Sequence, residues 1–173
     1  LCLEYDTAEE PDNIIKRFQF MAHQEFDGEP VNIIAHSYGC LLATLFCKEY
    51  KNVNNFVALS SPWAGSRTAK WLGLVFRQSQ LFKNTKPGSP LLNAISETKL
   101  DFPIINIIST GTSSSGNALA GMGAPNDGLL TVETQKQVPS TFTDVNNDIF
   151  LKRYVTALFK KQWGANLSKF NGV

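Results

Sequence analysis

Ser37 is the residue whose surroundings point most clearly to chemistry. A mostly apolar and β-branched run, residues 31–34, leads to it, and a mostly apolar helical pattern, residues 41–46, follows at once. The small residues Ala35 and Gly39 flank the serine at two positions on either side, which matches the nucleophile-elbow pattern G-x-S-x-G with alanine for the first glycine. A tight turn between a strand and a helix lifts a serine hydroxyl clear of the sheet edge. The pattern therefore predicts that Ser37 is a nucleophile.

The helix after Ser37 offers groups that could hold a developing negative charge. Its first N–H groups have no acceptor within the helix, and the positive end of the helix dipole lies there. The N–H of Tyr38 follows the serine directly, so we predict that it is the first oxyanion donor.

Three stretches of the chain, the elbow and two later ones, together carry a resemblance to one protein family. The elbow reads A-H-S-Y-G at residues 35–39, residues 61–66 read S-P-W-A-G-S, and residues 126–130 read N-D-G-L-L. Together they resemble the α/β-hydrolase family, in particular microbial lipases and esterases. The resemblance covers about residues 31–66 and 103–151. It implies hydrolysis of carboxylic esters through a Ser37 acyl-enzyme.

Asp127 takes the place of the catalytic acid in this resemblance. It follows a predicted strand, 103–109, and lies within the N-D-G-L context, and in the family the acid follows the serine in chain order. Its role would be to fix the tautomer of a histidine and to stabilise the imidazolium. The alternative is an aspartate that caps a turn by accepting from the backbone of Gly128 and Leu129.

The resemblance implies a catalytic triad of serine, aspartate and histidine. Asn147 occupies the position where it places the histidine. The chain contains only His23, which lies off the apolar stripe of a predicted helix, and His36, which lies within the elbow, where resembling enzymes carry a supporting histidine. An asparagine amide does not take up a proton near neutral pH, so it cannot act as a general base. Either an inactivating substitution or a natural non-catalytic relative fits this departure.

The second oxyanion donor is also unmatched. In the family it comes from an H-G loop after an earlier strand, and this sequence has no such motif. If residues 1–5 form the neighbouring strand, the N–H groups of Asp6 or Thr7 are the candidates. An aspartate carboxylate at that point would oppose an oxyanion unless it is turned away.

The elements that must position these residues alternate between strand and helix. Residues 1–5, the run before Ser37, residues 55–61 and residues 102–109 read as strands, and helical patterns lie between them. The sequence thus predicts a compact α/β-hydrolase-like fold with a mainly parallel sheet flanked by helices. We expect one domain over residues 1–173, in which residues 64–100 form either a cap over the serine or ordinary packing helices.

Composition narrows the classes of function. A net charge of +1 and a pI of about 7.9 give no electrostatic reason to expect nucleic acid or an anionic membrane as a partner. No apolar run is long enough to span a membrane, and no signal peptide is visible, so the compartment is left open. Three cysteines and two histidines show no metal-ligand spacing, and no cofactor-binding loop is present.

Three functions follow from the sequence, in order of preference. The first is a serine esterase or lipase acting on a small-molecule or lipid ester, with activity lost or reduced by Asn147. The second is a non-catalytic relative that binds or scaffolds through a retained pocket, and the third is an acyltransferase. The sequence leaves substrate chain length and oligomeric state undetermined.

Overall fold

A computed structural model describes residues 1–75, 79–109, 130–139 and 143–144. Its strands form one sheet in the order β1-β2-β3-β4, and each neighbouring pair is parallel. The strands are β1 (Val31–His36), β2 (Val53–Leu59), β3 (Ile104–Ile107) and β4 (Thr143–Asp144). The predicted fold class, a mainly parallel sheet flanked by helices, is therefore confirmed.

Six helices lie in the described part of the chain. They are α1 (Pro11–Phe26), α2 (Tyr38–Glu49), α3 (Arg67–Val75), α4 (Gln80–Thr85), α5 (Pro90–Glu97) and α6 (Val132–Lys136). The α2 helix packs against β1 and β2 and lies in contact with both α1 and α5. Its apolar side chains are buried around most of its circumference. No helix in these residues is both long and apolar enough to cross a membrane.

The register of the sheet places the core on one of its faces. Ile33 of β1 lies beside Phe56 of β2, which in turn lies beside Ile104 of β3. Phe56 and Ile104 are fully buried and belong to the same apolar cluster as the side chains of α2. Successive strand residues point to opposite faces, and Ile34 on the other face is 61% exposed. The helices thus cover the face that carries Ile33.

The strand predicted at residues 1–5 does not form, which corrects the expected strand–helix–strand unit at the start of the chain. These residues have no regular secondary structure. Instead, the ring of Tyr5 packs edge-on against Phe18 of α1 at 6.0 Å and against Tyr38 of α2 at 6.2 Å. Aromatic contacts with two helices bury part of the side chain without any ladder of backbone hydrogen bonds. The first parallel crossover is therefore β1–α2–β2.

Two of the three cysteines belong to the core. Cys40 and Cys47 are buried on α2, Cys2 is exposed, and all three are free thiols. Burial raises the pKa of both Cys40 and Cys47 to about 12. Their thiols are therefore protonated near neutral pH, and Cys40 does not compete with the neighbouring serine as a nucleophile.

The segment of residues 61–66 is fixed against the connection between α4 and α5. The Ser66 N–H donates to the Thr85 carbonyl at 2.7 Å. Gly65 has a φ of +84°, and a Cβ built on it would lie 2.8 Å from the backbone nitrogen of Pro87. Only glycine combines this backbone conformation with such a close approach.

Candidate active site

Ser37 lies on the turn that joins β1 to α2. Its φ of 51° and ψ of −124° fall outside the regions that residues with a side chain normally occupy. The Ser37 N–H donates to the Leu59 carbonyl at 2.9 Å, and its own carbonyl accepts from the Cys40 N–H at 3.0 Å. The end of β2 and the first turn of α2 thus hold the strained backbone in place. The strand-to-helix turn expected at Ser37 is present.

A cavity of about 330 Å³ opens at this turn. Hydroxyl-bearing side chains and one imidazole line part of it: His36, Ser37, Tyr38, Ser60, Ser66, Thr68, Thr85 and Ser109. Apolar side chains line the rest: Pro62, Ala69, Leu72, Leu81, Phe82 and Leu130. The α3 and α4 helices supply most of the apolar side chains, so they form a wall of the cavity next to Ser37.

The N-terminus of α2 provides the electrostatics of the site. Tyr38 is the first residue of α2, so its N–H belongs to the turn whose amides have no acceptor within the helix. Its side chain is buried, and its hydroxyl accepts from the Asn84 amide at 3.1 Å. Burial raises the pKa of Tyr38 and raises that of Tyr5 to about 12, so both phenols are neutral near pH 7. The charge that would stabilise an oxyanion is therefore the partial positive charge at the N-terminus of α2.

Asp6 and Thr7, the candidates for the second oxyanion donor, lie beside α4. The Asp6 carboxylate accepts from the Ala8 N–H at 2.9 Å, and the Thr7 carbonyl accepts from the Leu81 N–H at 3.2 Å. Neither residue is among the described residues that line the cavity. Their role as donors stays a prediction.

The other members of the predicted triad, Asp127 and position 147, lie outside the described residues, so their roles stay predictions. His23 is exposed on α1, with its ring 5.4 Å from that of Tyr50. His36 is the one histidine in the described part of the chain that lines the cavity.

Sequence reasoning missed Ser60 and Ser109, which follow β2 and β3 and line the same cavity. Their hydroxyl oxygens lie 2.6 Å apart, and Ser60 has a positive φ of 47°. The Ser60 N–H donates to the Ile107 carbonyl at 2.9 Å. The signal in the sequence is a serine directly after, or two residues after, each of three strands. Because parallel strands end at the same edge, such serines converge beside Ser37.

Gln135 is a second residue that sequence reasoning missed. Its side chain is fully buried and pairs with the backbone of Ser109 in both directions. The Ser109 N–H donates to Gln135 Oε1 at 2.8 Å, and Gln135 Nε2 donates to the Ser109 carbonyl at 3.1 Å. The Asn106 amide also donates to the Gln135 carbonyl at 2.6 Å. Gln135 thus joins the end of β3 to α6, the two elements that flank the segment with Asp127.

We expect Gln135→Ala to lower the free energy of unfolding by about 2–3 kcal/mol. The change removes both amide bonds to Ser109 and leaves a void in the interior. Gln137→Ala is the matched control, because Gln137 is exposed two residues later, and its effect should stay within about 0.5 kcal/mol. Urea denaturation followed by circular dichroism measures both. Equal stability of the two variants would show that the hydrogen bonds between Gln135 and Ser109 contribute nothing to the free energy of unfolding.

Solved structures with a similar fold are lipases and phospholipases. Phospholipase PlaB from Legionella pneumophila is 17% identical with a TM-score of 0.54, and the match covers 79% of this chain and 36% of that one. PlaB in complex with thio-NAD gives 16% identity and a TM-score of 0.61, over 79% and 34% of the two chains. The mature lipase BlEst2 from Bacillus licheniformis gives 16% identity and a TM-score of 0.52, over 84% and 69%.

These similarities show the fold, which is α/β-hydrolase-like. The chain spans about a third of the length of the PlaB chain. At such identities the activity of PlaB or BlEst2 does not transfer to this chain, and the choice of catalytic residues depends on the geometry at Ser37.

Two further comparisons concern the sequence alone. The family model described as bacteriophage T4 neck protein gp13 matches residues 112–173, about a third of the chain. None of the curated proteins matches.

Proposed function

We propose that this chain is a serine hydrolase of carboxylic esters that acts through a Ser37 acyl-enzyme. The observation that carries the proposal is the backbone of Ser37, with its φ of 51° and ψ of −124° between a parallel strand and a buried helix. A strained turn of this kind has to be held by its surroundings, and such turns cluster at active sites. The adjoining cavity and the fold of the similar structures support the same conclusion.

The chemistry would run in two halves. Ser37 Oγ bonds to the carbonyl carbon of the ester, and the carbonyl oxygen takes the negative charge beside the Tyr38 N–H, with Asp6 or Thr7 as the second donor. The C–O bond to the alcohol then breaks, and the alcohol leaves with the proton that a base took from Ser37. Water attacks the acyl-enzyme by the same route and releases the acid. In an active variant that base would be a histidine at position 147, which Asp127 would orient. Asn147 cannot take up the proton, so in this chain the reaction would be lost or reduced to what the oxyanion site and binding supply.

Residues 64–100 are proposed as the cap. Within this range α3 and α4 contribute side chains to the cavity, among them Leu72 and Leu81. By contrast, α5 buries Leu91, Leu92 and Ile95 in the core. We therefore assign the covering role to α3 and α4.

The second candidate is a non-catalytic binding or scaffolding protein, and Asn147 is the observation that favours it. Without a base, a serine hydroxyl is a weak nucleophile, and only the oxyanion site and binding would accelerate the reaction. The third candidate is an acyltransferase, in which an acceptor other than water attacks the same Ser37 acyl-enzyme.

A fluorophosphonate probe tests the proposal. The probe forms a stable bond to an activated serine, and we expect intact-mass and peptide spectra to place it on Ser37, faster in Asn147→His than in the native chain. Ser37→Ala should abolish labelling. Ser60→Ala should preserve it, since Ser60 is a serine of the same cavity with a similarly positive φ. No adduct in either the native chain or Asn147→His would favour the binding protein.

A further inference from the structure

We infer that the outer side of α3 and α4 is a docking surface for a lipid bilayer that carries negative charge. Four exposed cations define this basic face: Arg67 and Lys70 on α3, Lys83 on α4, and Lys86 directly after α4. None of the four is among the described residues that line the cavity. The inference therefore does not depend on turnover at Ser37.

Charge is distributed unevenly along the chain. Residues 64–100 contain six lysines and arginines and a single acidic residue, Glu97, although the net charge of the whole chain is only +1. The remainder of the chain therefore carries a net negative charge. Because a partner meets the charge of one surface and not the average over the molecule, the balance of the whole chain does not describe what the basic face attracts.

Backbone contacts place α3 and α4 side by side in opposite directions. The Ser66 N–H donates to the Thr85 carbonyl at 2.7 Å, which joins the start of α3 to the end of α4. Further along, a Cβ built on Gly73 would lie 3.5 Å from Phe82 Cβ, so the later part of α3 touches the early part of α4. The two helices thus form one hairpin with a common outer side.

The basic face is the side of this hairpin that is turned away from the cavity. At about 100° per residue, Arg67 and Lys70 lie on the side of α3 opposite Ala69 and Leu72, which line the cavity. On α4, Lys83 is exposed, whereas the two residues before it line the cavity. The hairpin is therefore apolar on its inner side and cationic on its outer side.

The basic face lacks neutralising partners in the described part of the chain. None of its four cations forms an ion pair with a described acidic residue, whereas Arg17 of α1 does so with Glu9. Glu10 accepts from the Gln80 amide at the first residue of α4, away from the end that carries Lys86. The four positive charges can therefore meet an anionic surface from outside.

The sequence of α3 favours a bilayer over a nucleic acid as the partner. Trp71 follows Arg67 by four residues, Leu74 follows Lys70 by four, and residues at that spacing share one side of a helix. Tryptophan and leucine combined with lysine and arginine are typical of helices at the interface of a membrane. A nucleic acid presents phosphates without an apolar layer beneath them.

Sedimentation with sucrose-loaded vesicles tests the inference on the native chain. We expect binding to vesicles in which roughly a third of the lipid is phosphatidylserine and the rest phosphatidylcholine, and none to phosphatidylcholine alone, since each cation near an anionic surface raises the partition coefficient about fivefold. Raising the ionic strength from about 0.1 M to about 1 M should release the protein, because the Debye length then falls from about 10 Å to about 3 Å.

Double variants locate the binding surface. Lys83→Gln combined with Lys86→Gln should lower the partition coefficient about 25-fold, and so should the same change at both cations of α3. Lys48→Gln combined with Lys51→Gln is the matched control, because it removes the same charge from exposed residues at the opposite end of α2 from Ser37. The control should stay within about twofold of the native chain. Circular dichroism verifies that each variant is folded.

Three results would overturn the inference. They are equal binding to both kinds of vesicle or to neither, a loss in the control as large as that in the variants of the basic face, and tighter binding to a DNA duplex than to the anionic vesicles at equal phosphate concentration. The last result would assign the basic face to a nucleic acid. Labelling of Ser37 by the fluorophosphonate is a separate measurement, so failure of the proposed function and failure of this inference are distinguishable.

Discussion

Asn147→His is expected to raise the rate of hydrolysis of p-nitrophenyl butanoate by about 10²–10⁴-fold. A positioned general base contributes an acceleration of this order, and an amide contributes none of it. Among the described residues, the turn at Ser37, the N-terminus of α2 and the cavity are already formed. The rate should fall as the pH drops through about 6.5, where an imidazole becomes protonated and can no longer accept the serine proton.

Two controls identify the cause of this gain. Ser37→Ala in the Asn147→His background should return the rate to that of the native chain, since the nucleophile is then absent. Asn146→His, one residue earlier, should leave the native rate unchanged, because the same imidazole is then on the wrong residue. A gain that survives Ser37→Ala, or that Asn146→His reproduces, would reject Ser37 and position 147 as a catalytic pair.

Gly65→Ala is expected to lower the free energy of unfolding by about 2–5 kcal/mol. A φ of +84° costs any residue that carries a Cβ, and the new methyl group would lie 2.8 Å from the Pro87 nitrogen and 2.9 Å from Leu92 Cδ1. The backbone at Pro87 would have to move away, which would strain the nearby bond between the Ser66 N–H and the Thr85 carbonyl. Urea denaturation measures the loss.

Gly39→Ala is the matched control for this prediction. A Cβ at Gly39 would meet only the Tyr5 hydroxyl oxygen, at 3.4 Å, which is an ordinary contact distance. Gly39 lies within α2, where alanine is favoured over glycine by up to about 1 kcal/mol. Stability should therefore be unchanged or slightly higher. Equal losses in the two variants would contradict the role assigned to Gly65.

The parts of the fold that the sequence predicted correctly depend on short-range patterns. The run before Ser37 and the apolar residues after it are contiguous, so strand, turn and helix could each be recognised without knowing any distant contact.

The features that the sequence analysis predicted wrongly or missed depend on contacts between residues that are distant in the chain. Residues 1–5 are apolar enough for a strand, but Tyr5 packs on Phe18 and Tyr38, and composition cannot choose between these two outcomes. Ser60 and Ser109 meet only once the register of β2 and β3 is set, so neither serine is distinctive alone. Gln135 lies in a helix of five residues, where no local pattern shows that its side chain is buried.

Trp63 shows the limit of a resemblance. It stands where the resembling lipases carry a histidine, yet it is 4% exposed and packs edge-on against Phe56 at 6.4 Å. Its indole N–H points to the buried Asn106 side chain, at 3.4 Å. The position is part of the core in this chain and is not among the described residues that line the cavity.

The crossover that carries Ser37 has a consequence for the order of folding. β1, α2 and β2 occupy the single stretch of residues 31–59, and the bond from the Ser37 N–H to the Leu59 carbonyl closes within it. Closing a short stretch of chain costs less entropy than bringing in distant segments such as α6. We therefore expect the strained backbone of Ser37 to form early in folding, through contacts within residues 31–59. Gln135 would pair with the backbone of Ser109 later.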